Sequence, residues 1–188
     1  KAKIQGINTD FTKLEEVHKA AELILKEAER VDILINSAGI HSIGKVYTQE
    51  GFESVFCVNY LAPFILTYRL IPILKESPAV RVMQVNSRGY RLNGFNINTM
   101  HPGEVKSNIE AIMILYIDIY DKIFSKSLKH EIIAGESLHY LAAAPELAAV
   151  SGRYFTLTHP EKPAPHALDR KTEALLWEKT LDLTGLRS

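Results

Sequence analysis

Val31-Asp32-Ile33-Leu34-Ile35-Asn36-Ser37-Ala38-Gly39 is the stretch on which the fold turns. Its first half is β-branched and apolar without alternation, which predicts a short strand buried on both faces. Asn36-Ser37-Ala38-Gly39 then breaks it into a turn. Such a strand belongs to a parallel sheet with helices on both sides, and the flanking segments agree. Upstream, Lys3-Ile4-Gln5-Gly6-Ile7 reads as a strand ended by Asn8-Thr9-Asp10. Thr12 with Glu15 makes a capping box. A helix follows through Val17, Ala20, Ala21, Ile24 and Leu25 to about Glu29.

Downstream, a long apolar helix is predicted over Glu50–Lys75, then strands at 80–85 and 95–100. Helices are predicted over 108–127 and 131–143, a last strand at 151–156, and an amphipathic tail helix over 169–183 around Leu175, Leu176 and Trp177. Strands alternating with helices imply an α/β fold, a doubly wound parallel sheet of Rossmann-like type. It is expected as one domain over 1–188. Ligands of such sheets bind at the carboxyl ends of the strands. Asp10, Asn36 to Gly39, Ser87 and Pro102-Gly103 all follow those ends.

Composition narrows the function. A chain of 188 residues, 46% apolar, can bury a core of its own. A formal net charge of zero argues against a nucleic-acid or anionic-membrane binder. The single cysteine, Cys57, has no internal disulfide partner, so a reducing, cytoplasmic setting is expected, with Cys57 a buried thiol in an apolar helix. No signal peptide is visible, and no uninterrupted apolar run reaches the ~20 residues of a membrane span. The seven histidines show no ligand spacing, and no metal site is expected.

Two gaps stand out. A dinucleotide site needs a glycine-rich turn at a helix N-terminus, and no G-x-x-x-G-x-G occurs. The chain opens near what reads as the third strand, so a βαβ piece of about 30 residues or more is expected ahead of it. The second gap follows Ser87. Parallel neighbours need a crossover of at least ~10–12 residues, and Arg88 to Gly94 is only seven. A segment missing between about 90 and 95 is expected.

Five motifs carry a resemblance. They are Asp10-Phe11-Thr12; Asp32 to Gly39; Val58-Asn59-Tyr60-Leu61-Ala62-Pro63-Phe64; Val85-Asn86-Ser87-Arg88; and Asn98-Thr99-Met100-His101-Pro102-Gly103. In this order the chain resembles the short-chain dehydrogenase/reductase family, most of all its retinol-dehydrogenase and WW-domain-oxidoreductase branch. Ser151-Gly152-Arg153-Tyr154-Phe155 and Leu176-Trp177 resemble that branch's C-terminal end. The resemblance implies an NAD(P)-dependent oxidoreductase, with NAD against NADP left open. Hydride passes between nicotinamide and a carbonyl or alcohol carbon, and the protein supplies position and a proton. Dimerisation through the Glu50–Lys75 helix is likewise implied.

The resemblance also assigns roles, each beside a plainer reading. Ser87 polarises the substrate oxygen, or only closes its own turn. Asn59 lies in an apolar helix four residues before Pro63, which has no N–H for the Asn59 carbonyl. The freed carbonyl could hold a proton-carrying water, or the helix merely kinks. Asn36 ties the cofactor turn to the neighbouring strands, and Ala38 and Gly39 let ribose approach the backbone, or the three form an ordinary strand-ending turn. Asp10 contacts the adenine, or caps its turn. Pro102 and Gly103 fix the chain beside the nicotinamide, with Val105 offering backbone contacts. Tyr90 reads as a loop tyrosine; the family's acid/base Tyr and its Lys are absent. Ile112, Met113, Leu115, Tyr116, Ile119 and Phe124 would line an apolar lid over a small lipophilic substrate, or pack as an ordinary helix. The rivals are a non-catalytic relative acting as a binding or scaffold protein, and an unrelated doubly wound binding protein. Loss of a central helix and two strands would expose apolar sheet.

Overall fold

The computed structural model describes residues 3–42, 44–86, 99–101 and 131–187. By its contacts the chain falls into two compact units. One comprises Lys1–Asp32, Ala38–Val80 and Leu176–Ser188, the other Ile33–Ser37 and Arg81–Leu175.

The first unit is helical. Helix α1, Leu14–Glu27, buries Leu14, Val17, Ala20 and Ala21 on one stripe, with Glu15 and Glu16 in its first turn and Lys26 in its last. Those charges match the helix dipole. The predicted capping box does not form, because Thr12 donates its hydroxyl to Asp10 Oδ1 (2.7 Å) instead of accepting from the helix. Lys13 stands at the N-cap with no side-chain bond. Glu16 reaches back to the Asp10 N–H (3.0 Å), and Glu50 accepts from the Leu14 N–H (3.4 Å).

Helix α2, Ser54–Leu74, starts later than the sequence suggests. Glu53 caps it, its carboxylate accepting from the Val55 and Phe56 N–H groups. Its turn Cys57–Leu61 is π-helical, and the Ala62 N–H returns to the Cys57 carbonyl. Pro63 explains the widening, since it has no N–H for the α-helical partner at Asn59. By length and composition α2 could cross a bilayer, although no uninterrupted apolar run was expected to do so. More than half of its most apolar window is buried inside the protein. Leu14, Val17, Cys57, Leu61, Ala62 and Ile65 form the core between α1 and α2, ringed by Phe11, Phe52, Phe56, Tyr60, Leu66 and Leu186. Burying each large aliphatic chain there is worth about 1.5–3 kcal/mol.

Among the described residues, the second unit holds a five-stranded sheet in sequential order: β1 Ile33–Asn36, β2 Arg81–Val85, β3 Thr99–His101, β4 Tyr154–Thr156 and β5 His159–Glu161. The first three pairings are parallel, with Asn36 opposite Gln84, Val85 opposite Met100, and Met100 opposite Phe155. Residues 87–98, between β2 and β3, lie outside the described residues, and with them the gap expected between about 90 and 95. The β4–β5 pair is antiparallel, so the sheet is mixed. Nothing in His159-Pro160-Glu161 suggests a strand, and Leu157 turns the hairpin at φ 56° without a glycine.

Two expectations fail here. Lys3–Ile7 is not a strand; Ile4 is 93% exposed, and the segment pairs with no strand among the described residues. A lone extended segment leaves its ladder groups to water, so the propensity of its residues is not enough. Also, among the described residues β1 is an edge strand rather than one buried on both faces, with Ile33 44% and Ile35 39% exposed.

Helix α3, Glu131–Ala143, follows its predicted bounds. Arg81, at the start of β2, closes its C-terminus by donating to the carbonyls of Leu141 (3.0 Å) and Ala144 (2.5 Å). Helix α4, Arg170–Leu183, is capped by Asp169 through the Lys171 N–H and the Thr172 hydroxyl. Its residues from Leu176 on belong to the first unit. There it ends in a Schellman motif: Gly185 takes φ 65°, the Leu186 N–H reaches the Leu181 carbonyl, and the Gly185 N–H reaches Asp182.

Candidate functional site

The loop before α1 and the turn after β1 meet in an open cleft of about 450 Å³, lined by Thr9, Asp10, Phe11, Thr12, Ala38, Gly39, Ile40 and Val58. Three of the predicted site residues, Asp10, Ala38 and Gly39, are brought together there, with Asn59 beside them.

Asp10 organises one rim. Its Oδ1 accepts from the Thr12 N–H (2.9 Å) and hydroxyl (2.7 Å), and Lys13 Nζ lies 3.4 Å from Oδ2. The Thr12 hydroxyl, then its N–H, and then Lys13 hold the carboxyl below its ordinary range. It is therefore anionic at neutral pH. The contacts seen are those of the turn-capping reading, and they leave Asp10 at the rim of the cleft, where a ligand amine could reach a carboxylate acceptor.

Asn59 organises the opposite side. It is exposed, not a buried amide as expected from its apolar helix. Its Oδ1 accepts from the Ile40 N–H (2.8 Å), and its Nδ2 donates to the Ile40 carbonyl (2.9 Å). The turn Ala38-Gly39-Ile40 is thus held by a side chain 19 positions away in sequence. A Cβ at Gly39 would sit in ordinary van der Waals contact with the Asn59 carboxamide, at 3.7 Å.

Beneath the loop, the buried Cys57 donates its S–H to the Phe11 carbonyl (3.4 Å). Burial pushes the thiol up to about 11, with Glu50 and Asp10 adding to the shift. It stays a neutral thiol, as expected for a structural rather than a nucleophilic cysteine.

Asn36 ends β1 opposite Gln84. It belongs to the second unit, whereas the cleft belongs to the first. Ser87, Tyr90, Pro102, Gly103, Val105 and the lid stretch 109–124 lie outside the described residues. Sequence reasoning missed Ile40, Val58, Thr9 and the Thr12 side chain. Val58 was signalled by its place beside Asn59, but Ile40 carried no signal, because only its backbone is used.

Apolar walls from Phe11, Ala38, Ile40 and Val58, with carboxylate and hydroxyl groups at the rim, suit a flat heteroaromatic ring bearing an amino group. The donor set therefore fits the adenosine end of a dinucleotide.

Comparison with known proteins gives a family. The short chain dehydrogenase family matches residues 1–100, more than half of the chain. The chain belongs to that family, an α/β family of NAD(P)-dependent oxidoreductases with a Rossmann fold. Human retinol dehydrogenase 14 is 29% identical over 94% of this chain and 66% of its own length. Human retinol dehydrogenase 13 is 28% identical over 98% of this chain and 70% of its own. The chain thus spans about two thirds of these relatives. A complex of Pseudomonas aeruginosa RhlG with NADP shares the fold at TM-score 0.58 and 16% identity, over 80% of this chain and 73% of that one.

Proposed function

We propose that the protein is an NAD(P)-dependent oxidoreductase acting on a carbonyl or alcohol of a small, lipophilic molecule, and that the Asp10–Gly39 cleft takes the adenosine end of its cofactor. The observation that carries this is the double hydrogen bond from Asn59 to Ile40. It fixes the Ala38–Gly39 turn on α2, across the cleft from the Asp10 loop, before any ligand arrives, so little ordering is left for binding.

When bound, the cofactor supplies or accepts the hydride. Asp10, held anionic, accepts from the ring amine. Phe11, Ile40 and Val58 keep water off the ring faces, and Gly39 leaves the backbone open to a sugar. Ser87, by resemblance, donates to the substrate oxygen as charge develops there. The lipophilic substrate is supported by the retinol dehydrogenase relatives and by the apolar stretch from Ile112 to Phe124. The lone thiol, with no disulfide partner, supports a reducing, cytoplasmic compartment.

One observation favours a second reading. No Tyr-x-x-x-Lys occurs anywhere in the 188 residues. A chain that binds cofactor without the family's proton donor would be a binding or scaffold protein.

Titration of NADH and NADPH, followed by calorimetry, tests the first part, and turnover with long-chain aldehydes and retinaldehyde tests the second. Saturable binding abolished by Asp10→Ala, with turnover by a protein that carries the Tyr and Lys segment expected between about 90 and 95, is the expected result; without that segment the 188 residues would be inactive. Binding without turnover moves the function to the second reading. No saturable binding of either cofactor overturns both.

A further inference from the structure

Asn59 does not keep its position unaided. Its neighbour Tyr60 stands on the same π-helical turn, Cys57–Leu61. The Tyr60 hydroxyl lies 2.8 Å from Thr180 Oγ1 in α4. Thr180 sends its own hydroxyl proton to the Leu176 carbonyl, also at 2.8 Å, one turn back in the same helix. A hydroxyl has a single proton, so Tyr60 is the donor and Thr180 Oγ1 the acceptor. Thr180 is fully buried, and burial holds the Tyr60 phenol above its ordinary value, keeping its proton in place.

The surroundings hold this bond. Phe56 stacks on Tyr60 at 5.2 Å, and Trp177 of α4 meets Phe64 edge-on at 5.1 Å. The far end of α4 is tied down as well. Thr184 donates its hydroxyl to the Thr180 carbonyl (2.6 Å). His18 accepts at Nδ1 from Arg69 Nε–H (3.1 Å), which leaves the proton on Nε2 to donate to the Thr184 carbonyl (3.0 Å).

Pro63 opens the π-helical turn, and such turns recur at functional sites. Here Asn59 faces the cofactor turn from one residue of the bulge, and Tyr60 is bonded to α4 from the next. We infer that Tyr60 and Thr180 are positioning residues for the cofactor turn. Their buried hydrogen bond fixes the register of the π-helical turn and so keeps the Asn59 carboxamide on the Ile40 backbone. Neither residue lines the cleft; both act through Asn59. The consequence for cofactor affinity rests on the function proposed above, but the mechanical relation does not.

Amide hydrogen exchange at Ile40 in the full chain tests it without any ligand. Thr180→Val removes the acceptor at constant shape, Tyr60→Phe removes the donor while keeping the ring, and Thr180→Ser keeps the hydroxyl. The Ala21 amide, in the buried face of α1, reports global unfolding. The expected result is an Ile40 amide that exchanges about tenfold faster in both deletions, well beyond any change at Ala21, with Thr180→Ser near wild type. NADPH affinity should fall by a similar factor in the same two variants. Ile40 exchange that is unchanged, or that rises only in step with Ala21, overturns the inference. If neither wild type nor variants bind cofactor while Ile40 still responds, the positioning relation stands and the cofactor reading fails.

Discussion

The carboxamide of Asn59 and the backbone of Ile40 exchange two hydrogen bonds, at 2.8 and 2.9 Å, much as two paired residues of antiparallel strands would. A single side chain thereby acts as a strand neighbour for the turn, and it joins α2 to the cleft.

Asn59→Asp should be worse than a charge change on an exposed residue would suggest. The carboxylate still accepts from the Ile40 N–H, but its second oxygen then faces the Ile40 carbonyl, acceptor against acceptor. Asn59→Ala loses both bonds and leaves no repulsion. Each lost bond is worth about 0.5–1.5 kcal/mol, so urea unfolding should show both variants destabilised, Asp at least as much as Ala. Equal stability of wild type and Asn59→Ala would mean that the pair contributes nothing.

Asp10 supports the start of α1 as well as the cleft. Asp10→Ala should fray the first turn and weaken cofactor binding together, whereas Asp10→Asn keeps an acceptor for Thr12 but loses the charge beside Lys13. Binding that survives in Asn and fails in Ala would assign the effect to the hydrogen bonds. Because the folded carboxyl titrates lower than the unfolded one, its contribution is complete above the ordinary carboxylate range and is lost as pH falls through the folded value. Thr12 exchange followed by NMR from pH 6 down to 3 reads this.

Cys57 should resist thiol reagents at pH 8 at a rate set by unfolding rather than by thiolate. Its folded value of about 11 lies above the ordinary 9.0. The unfolded chain loses the proton first, so stability is whole below pH 9 and declines as pH rises from 9 to 11. In Cys57→Ala that part of the alkaline decline should vanish, while the cavity costs about 1 kcal/mol at every pH. Rapid labelling of the native protein at pH 8 would contradict the burial.

Arg81→Ala should loosen the C-terminal turn of α3 by uncovering the Leu141 and Ala144 carbonyls. Hydrogen bonds from a charged donor are worth about 1.5–3 kcal/mol, and thermal melting should register a loss of that order. Arg81→Lys offers one point donor in place of a fork and should restore only part of it. A melting curve unmoved by Arg81→Ala would show that the cap is incidental.

Much of this protein is legible in its residues. The bounds of α3 and, to within a residue, α4 follow from apolar periodicity, and the motifs at Asp10, Ala38–Gly39 and Val58–Asn59 mark the cleft. Pro63 announces that the helical ladder must break at Asn59, although not that it breaks as a π-turn. Elsewhere local sequence misleads. Thr12 has the chemistry of a helix cap, yet its hydroxyl is taken by Asp10. Lys3–Ile7 has the composition of a strand without a neighbour to pair with among the described residues, whereas Tyr154–Thr156 lies beside His159–Glu161 and makes it a strand. Ser87, Pro102, Gly103 and Val105 rest on their motifs alone.

The sequence by itself determined the family, the α/β class and part of the cleft, Asp10, Ala38 and Gly39, because those follow from side-chain chemistry and from spacing along one chain. Only the tertiary structure decided that Asn59 grips the Ile40 backbone, that Cys57 is bonded to the Phe11 carbonyl, and that Thr180 receives the Tyr60 proton. Each joins atoms far apart in sequence through a backbone group or a lone hydroxyl, and such groups leave no periodic or compositional trace until packing brings them together.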